Sequence, residues 1–242
     1  MSELYRDTGV VLRTYKLRES DRIVVFHTAE HGKVRAVAKG VRKTKSKFGA
    51  RLEPMSHVSL LLYRGRELDI VSQAEAVEPL SPMLSSLDRA SQGLAAIEAV
   101  DQLSLEREPN PQLYRMLVGV LRTIASAPSP LNVAAFYWKL LANEGLRPEL
   151  DRCVRCGESE PDTQFVAFDL NEGGVMCRSC RSGQAISPGA LTILREILGG
   201  QLVQALARDE SPITHEVSSM ATRALEFHIE RRLKAVAMFE TH

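Results

Sequence analysis

The chain has 242 residues, 44% hydrophobic and 25% charged, a composition that excludes disordered and fibrous classes and leaves room for one to three domains. No apolar run reaches the ~18 residues of a membrane helix, and the opening residues, with Glu3 and Asp7, lack a signal peptide's apolar stretch, so the expected compartment is the cytoplasm. The net charge of +1 conceals an asymmetry: residues 1–80 hold fifteen Lys and Arg against ten Asp and Glu, the remainder sixteen against twenty, so a polyanion would meet the front of the chain first.

The first eighty residues read as strands. Residues 9–15, 23–28, 33–39, 57–63 and 68–74 are β-rich runs separated by polar or glycine-containing turns. In the third run Val34, Ala36 and Ala38 fall on one face and Lys33, Arg35, Val37 and Lys39 on the other, the period of a half-buried strand. Five short strands in eighty residues fit an OB-type barrel. An SH3-like barrel or a small sandwich shares the pattern.

At Pro79–Pro82 the period changes to a helical one. Leu84, Leu87, Leu94, Ile97 and Leu103 mark a first helix that Pro109 and Pro111 end. Leu113 to Ile124 mark a second, broken by Pro128 and Pro130, and Val133 to Leu146 a third. Ser187-Pro188 and Ser211-Pro212 each read as an N-cap followed by a proline in the first turn, with Gly199-Gly200 as a break between them and the last helix running to about Ala237. The expected fold is α+β and multidomain. An OB-type barrel occupies 1–80. A helical domain occupies 81–149 and 186–242, with a zinc-ribbon-like four-cysteine module inserted at 150–185.

All four cysteines lie in that module, as Cys153-x2-Cys156 and Cys177-x2-Cys180. Two CxxC knuckles at this separation give four thiolates on two tight turns, the pattern of one structural Zn²⁺ with no open position for catalysis. Gly157 and Gly173-Gly174 relieve the backbone beside the knuckles. Disulfides or free thiols are the alternatives. Arg152, Arg155, Arg178 and Arg181 flank the cysteines, placed either to offset the charge of the thiolates or to grip DNA. Residues 165–169 are expected to form a strand of the module.

Residues 32–51 contain no acid. They carry Lys33, Arg35, Lys39, Arg42, Lys43, Lys45, Lys47 and Arg51, with Phe48 as the one aromatic. A single-signed run of this length is expected to contact phosphates, whose neutralisation supplies most sequence-independent affinity for nucleic acid. Phe48 either stacks a base or tucks beneath the loop. Arg18, Arg22, Arg64 and Arg66 are candidates to extend the patch. No GxxxxGK[ST] loop, dinucleotide fingerprint or Ser/His/Asp set stands out, so no catalytic residue is assigned.

The segment Lys39-Gly40-Val41-Arg42-Lys43-Thr44-Lys45-Ser46-Lys47-Phe48-Gly49 resembles the KG-x-R-x-x-x-S-[KR]-[FY]-G signature of the bacterial RecO recombination mediators. Glu19-Ser20-Asp21, Leu52-Glu53-Pro54 and the order barrel, helices, CxxC…CxxC, helices resemble that family too. The resemblance implies binding of single- and double-stranded DNA and annealing of complementary strands. It implies partnership with RecR and with the acidic C-terminal tail of SSB, and, indirectly, help in loading RecA onto SSB-coated strands. A cytoplasmic protein, nucleoid-associated during repair, is the corresponding expectation. Three rival readings are a nuclease or RNA-modifying enzyme, a zinc-ribbon transcription or translation factor, and a scaffold for an acidic protein tail.

Overall fold

In the computed structural model, which describes residues 3–43, 46 and 48–237, five strands at the front of the chain close into a barrel. They are β1 (Leu4–Lys16), β2 (Arg22–Thr28), β3 (Gly32–Ala38), β4 (His57–Tyr63) and β5 (Asp69–Ala76), in the order β1-β2-β3-β5-β4. β1 is 13 residues long and serves both β4 and β2, antiparallel to each, with a register shift between Val11 and Arg13. A bulge there bends one strand around two neighbours. A short parallel pairing of β3 with β5, Ala36 opposite Asp69 and Val37 opposite Ile70, completes the closure. The sheet is closed, so the sandwich alternative falls away and the barrel is OB-like.

The alternation read in the third strand holds: Val34, Ala36 and Ala38 join Val24, Phe26, Val58, Leu60 and Leu62 in the barrel core. Residues 105–107 lie alongside the start of β3, with Lys33 bridged in parallel to Glu106. Arg107 then donates to Asp69 at 2.9 Å, and the same buried carboxylate accepts from the Tyr5 hydroxyl at 2.5 Å and the Gly65 amide at 2.9 Å. Burial opposes the charge on Asp69, but these hydrogen bonds outweigh it and hold the carboxyl below its ordinary range.

The barrel shares a compact unit with α1 (Leu87–Leu103) and α2 (Pro111–Ser126). α1 stops earlier than its prolines suggest, because the Ser104 hydroxyl turns back onto the Val100 carbonyl at 2.6 Å. Pro111 does not end α1 but opens α2, in the first turn after Asn110, whose side chain accepts from the Leu113 amide at 2.9 Å.

His27, on β2, is fully buried in this unit. Burial first, and Lys33 second, push its pKa down to about 4. The unfolded chain therefore takes up a proton near pH 6.5 that the folded one refuses, and stability is lost as pH falls from about 6.5 towards 4. The expected loss is up to about 3 kcal/mol. Urea denaturation at pH 7 and pH 4.5 checks it: His27→Gln should flatten this part of the profile.

The second unit is Pro128–Leu233. It contains α3 (Asn132–Asn143), β6 (Phe165–Asp169), β7 (Gly174–Cys177), β8 (Gln184–Ala185), α4 (Pro188–Leu198), α5 (Leu202–Leu206) and α6 (Pro212–Ile229). The strands form a small sheet in the order β7-β6-β8. Trp138 of α3 meets Phe168 of β6 edge to face, ring centroids 5.8 Å apart, and so joins the sheet to the helices. Ser187 and Ser211 cap α4 and α6, and the Gly199-Gly200 break separates α4 from α5, as the sequence indicates.

α6 does not continue to Ala237. Glu230 takes a left-handed conformation (φ 51°), and the Arg231 amide closes back on the Glu226 carbonyl. A separate short helix, α7 (Lys234–Ala237), returns to the first unit, where the Lys234 and Ala235 amides donate to Glu98 of α1 at 2.9 and 2.7 Å. Among the described residues no helix is long and apolar enough to cross a membrane.

Candidate nucleic-acid interface and metal centre

The basic segment leaves β3 at Lys39 and is fastened to the turn between β1 and β2. Asp21 accepts from the Gly40 amide at 2.7 Å. The Arg42 amide donates to the Ser20 carbonyl at 3.1 Å, and the Arg42 guanidinium to the Glu19 carbonyl at 2.9 Å. The Gly40 amide, aided by Ser20, Arg18 and Lys39, holds the Asp21 carboxyl below its ordinary range. An ionised aspartate thus clamps the loop whose charge it opposes. Farther along, Val41, Phe48 and Leu52 all enter the barrel core, so apolar side chains pin the segment at both ends.

This fastening places Lys39, Arg42 and Lys43 on the surface together at one end of the barrel. Arg51 is exposed in the last turn of the 3₁₀ helix Gly49–Leu52. Arg35 is exposed and faces Glu106 at 3.5 Å. Lys45 and Lys47 lie outside the described residues.

Two assignments need correction. Lys33 is only 11% exposed and its ammonium is held by Asp101 of α1, 2.5 Å from the carbonyl and 3.3 Å from the carboxylate, so it ties α1 to the barrel instead of facing a phosphate. Phe48 is 1% exposed in the barrel core; of its two readings, the tucked one holds and base stacking does not. The outlying arginines are partly engaged as well: Arg22 pairs with Glu53 at 2.9 Å, and Arg64 with Glu3 at 3.5 Å while covering the Tyr5 ring.

Sequence reasoning used Ser20 and Asp21 as a break between strands and as a point of family resemblance, and gave them no part in holding the basic loop. The available signal was an acid facing a glycine-containing basic loop. Replacing Asp21 with Ala is expected to speed hydrogen exchange at the Gly40 amide by about tenfold, the value of one net hydrogen bond, with β-strand amides unchanged. Amide exchange followed by NMR checks it.

The four cysteines converge in the second unit. Their sulfurs all lie within 4.8 Å of one another, with Cys156 and Cys177 3.7 Å apart, and none is in a disulfide. Tetrahedral zinc with bonds of about 2.3 Å separates its sulfurs by about 3.8 Å, so the cluster fits such an ion. β7 delivers Cys177, and the first knuckle is laid against it by the Val154 amide donating to the Val175 carbonyl at 3.0 Å. The Cys177 amide donates to the Cys153 sulfur at 3.4 Å. Gly157 and Gly173 both adopt positive φ, near 79° and 76°, where a side chain would be strained.

The protonation chemistry agrees with the geometry. Burial opposes ionisation of Cys153, yet the amides of Cys156, Cys177 and Arg155 overcome it and bring the thiol down to about 6. Hydrogen bonds from its sulfur neighbours push Cys180 up to about 12. A bound dication would favour the ionised form of the thiols around it. Two of the flanking arginines make contacts within the module. Arg155 reaches from the first knuckle to the Cys180 carbonyl at 3.4 Å and to Glu172 at 3.2 Å, and Arg152 pairs with Glu149 at 3.1 Å. Asp169 accepts from the Ser182 hydroxyl at 2.5 Å and from the Asn171 and Glu172 amides, fixing the β6–β7 turn to the exit of the second knuckle.

The chain matches the family Recombination protein O N terminal over residues 1–80 and the family Recombination protein O C terminal over residues 84–237.

Proposed function

The chain belongs to the recombination protein O family, which serves DNA repair and recombination, and from that premise we propose that it is a non-catalytic mediator that binds single- and double-stranded DNA and anneals complementary strands. The observation that carries this reading is the cluster Lys39, Arg42 and Lys43, exposed together and clamped to the barrel by Asp21 and the Ser20 carbonyl. Cations held on a rigid support neutralise phosphates, and two strands that repel in water can then meet without any bond being made or broken. Arg51 and Arg35 are assigned to the same contact, as are Lys45 and Lys47 on the strength of the sequence run alone.

The four-cysteine cluster is assigned one Zn²⁺ held by Cys153, Cys156, Cys177 and Cys180, structural because four thiolates leave no open position. By family, the mediator acts in the cytoplasm with RecR, engages the acidic C-terminal tail of SSB, and assists RecA indirectly in replacing SSB on single strands.

Reversing Lys39, Arg42 and Lys43 to Glu tests the DNA surface. All three side chains are exposed, so the fold should persist. Affinity for a single-stranded oligonucleotide should fall about a hundredfold or more, and the slope of log affinity against log salt should shrink by about 2, at roughly 0.7 per lost phosphate contact. Annealing of arbitrary complementary oligonucleotides should fall with it. Undiminished binding, or a slope that does not change, would exclude this surface.

A further inference from the structure

The four cysteines are alike in sequence but not in exposure. Cys153 is 1% exposed and Cys177 is 0% exposed. Both are held from behind: Cys177 ends β7 opposite Phe165 of β6, and its amide donates to the Cys153 sulfur at 3.4 Å. Cys156 is exposed and Cys180 half-buried. Each knuckle therefore contributes one inner and one outer sulfur, and a dissolved molecule meets the outer pair first.

The outer pair is also the one with room to move. Cys156 lies in a turn within the exposed run 155–160, and Gly157 beside it has φ near 79°. Cys180 lies in a turn between the exposed Ser179 and Arg181. Arg155 draws the two turns together, its guanidinium donating to the Cys180 carbonyl at 3.4 Å and to the Ser182 hydroxyl at 3.5 Å. All four sulfurs lie within 4.8 Å of one another, and a disulfide joins sulfurs about 2.05 Å apart. Closing Cys156 onto Cys180 thus asks for a shift of about 3 Å at most, shared by two surface turns.

We propose that Cys156 and Cys180 form an oxidisable pair that hydrogen peroxide converts to a disulfide. Cys156, as thiolate, attacks one peroxide oxygen: an S–O bond forms, the O–O bond breaks, and the departing hydroxide is protonated to water. Cys180, as thiolate, then attacks the Cys156 sulfur: the S–S bond forms, the S–O bond breaks, and a second hydroxide leaves and is protonated. Two thiols and one peroxide give one disulfide and two waters, with two electrons passing from the sulfurs to the peroxide. The zinc assignment is the setting of this inference, which adds a reversible means of emptying the site. Cys153 and Cys177 remain reduced, but two sulfurs do not complete a tetrahedral set, so the disulfide form gives up its metal.

The test treats the full-length, zinc-loaded protein with hydrogen peroxide, follows zinc with a colorimetric dye and maps disulfides by mass spectrometry of peptides. Zinc should appear in step with a Cys156–Cys180 crosslink, and a thiol reductant with added zinc should reverse both. Iodoacetamide should modify Cys156 about tenfold faster than Cys153. Cys180→Ser should stop Cys156 at the sulfenic acid, which dimedone captures. If that variant folds poorly, the wild-type peptide map decides alone. A first disulfide that includes Cys153 or Cys177, oxidation to sulfinic acid with no crosslink, or zinc retained after the Cys156–Cys180 bond has formed would overturn the proposal. A protein isolated without zinc would count against the metal assignment, a separate outcome, and the disulfide map on that sample would still decide which sulfurs pair.

Discussion

Removing the metal with a chelator, or replacing Cys177 with Ser, is expected to move the fluorescence of the chain's single tryptophan to the red and to melt the small sheet around it. Trp138 is 2% exposed and packs on Phe168 of β6. β6 in turn pairs with β7, whose last residue, Cys177, belongs to the four-cysteine cluster. A four-thiolate zinc site contributes on the order of 10 kcal/mol or more to the folding of a small module. Within the sheet β7-β6-β8 the two-residue β8 adds little pairing, so the sheet leans on the cysteine cluster and on its packing against Trp138. Without a cation the thiols reprotonate or repel, and the first knuckle loses the restraint that sets Val154 against Val175. Tryptophan emission recorded during chelation, with released zinc measured by a colorimetric dye, checks the prediction at one ion per chain. Unchanged emission after complete metal release would show that the sheet stands without it.

Phe48→Ala is expected to cost about 3–5 kcal/mol, the usual consequence of emptying a large aromatic site in a packed core. Phe48 is among the largest fully buried side chains of the molecule and shares the barrel core with Leu52 and Val41. The same variant separates the two readings of this residue. A base-stacking phenylalanine would be lost from DNA binding with stability intact; a core phenylalanine lowers the urea midpoint of the barrel unit first. Phe48→Leu should fall between Phe48→Ala and wild type, because it fills most of the volume. A midpoint unchanged in Phe48→Ala would return Phe48 to the surface.

The features read most readily from sequence were those whose cause is local. Alternation in β3 placed Val34, Ala36 and Ala38 inside, and the two CxxC pairs announced a cluster that the fold then closes to within 4.8 Å. The Ser-Pro starts of α4 and α6 were legible because capping involves residues three apart. What escaped depends on distant partners. Lys33 looks like its basic neighbours until Asp101, 68 residues later, takes its ammonium. Phe48 sits in a polar run, and only the closed barrel beneath shows that it is a plug. The early start of β1 was hidden because Leu4 to Thr8 mix polar and apolar residues to suit β4, not a local period. The end of α6 was misread because helical spacing carries no mark of Glu98, which captures the chain beyond it.

That capture bears on the order of events during synthesis. Glu98 is made early, whereas the amides it receives, Lys234 and Ala235, leave the ribosome only after the whole of Pro128–Leu233 has been translated. The barrel's helical neighbour therefore waits with an uncovered carboxylate for more than a hundred residues, and translation that stalls within the second unit strands it there.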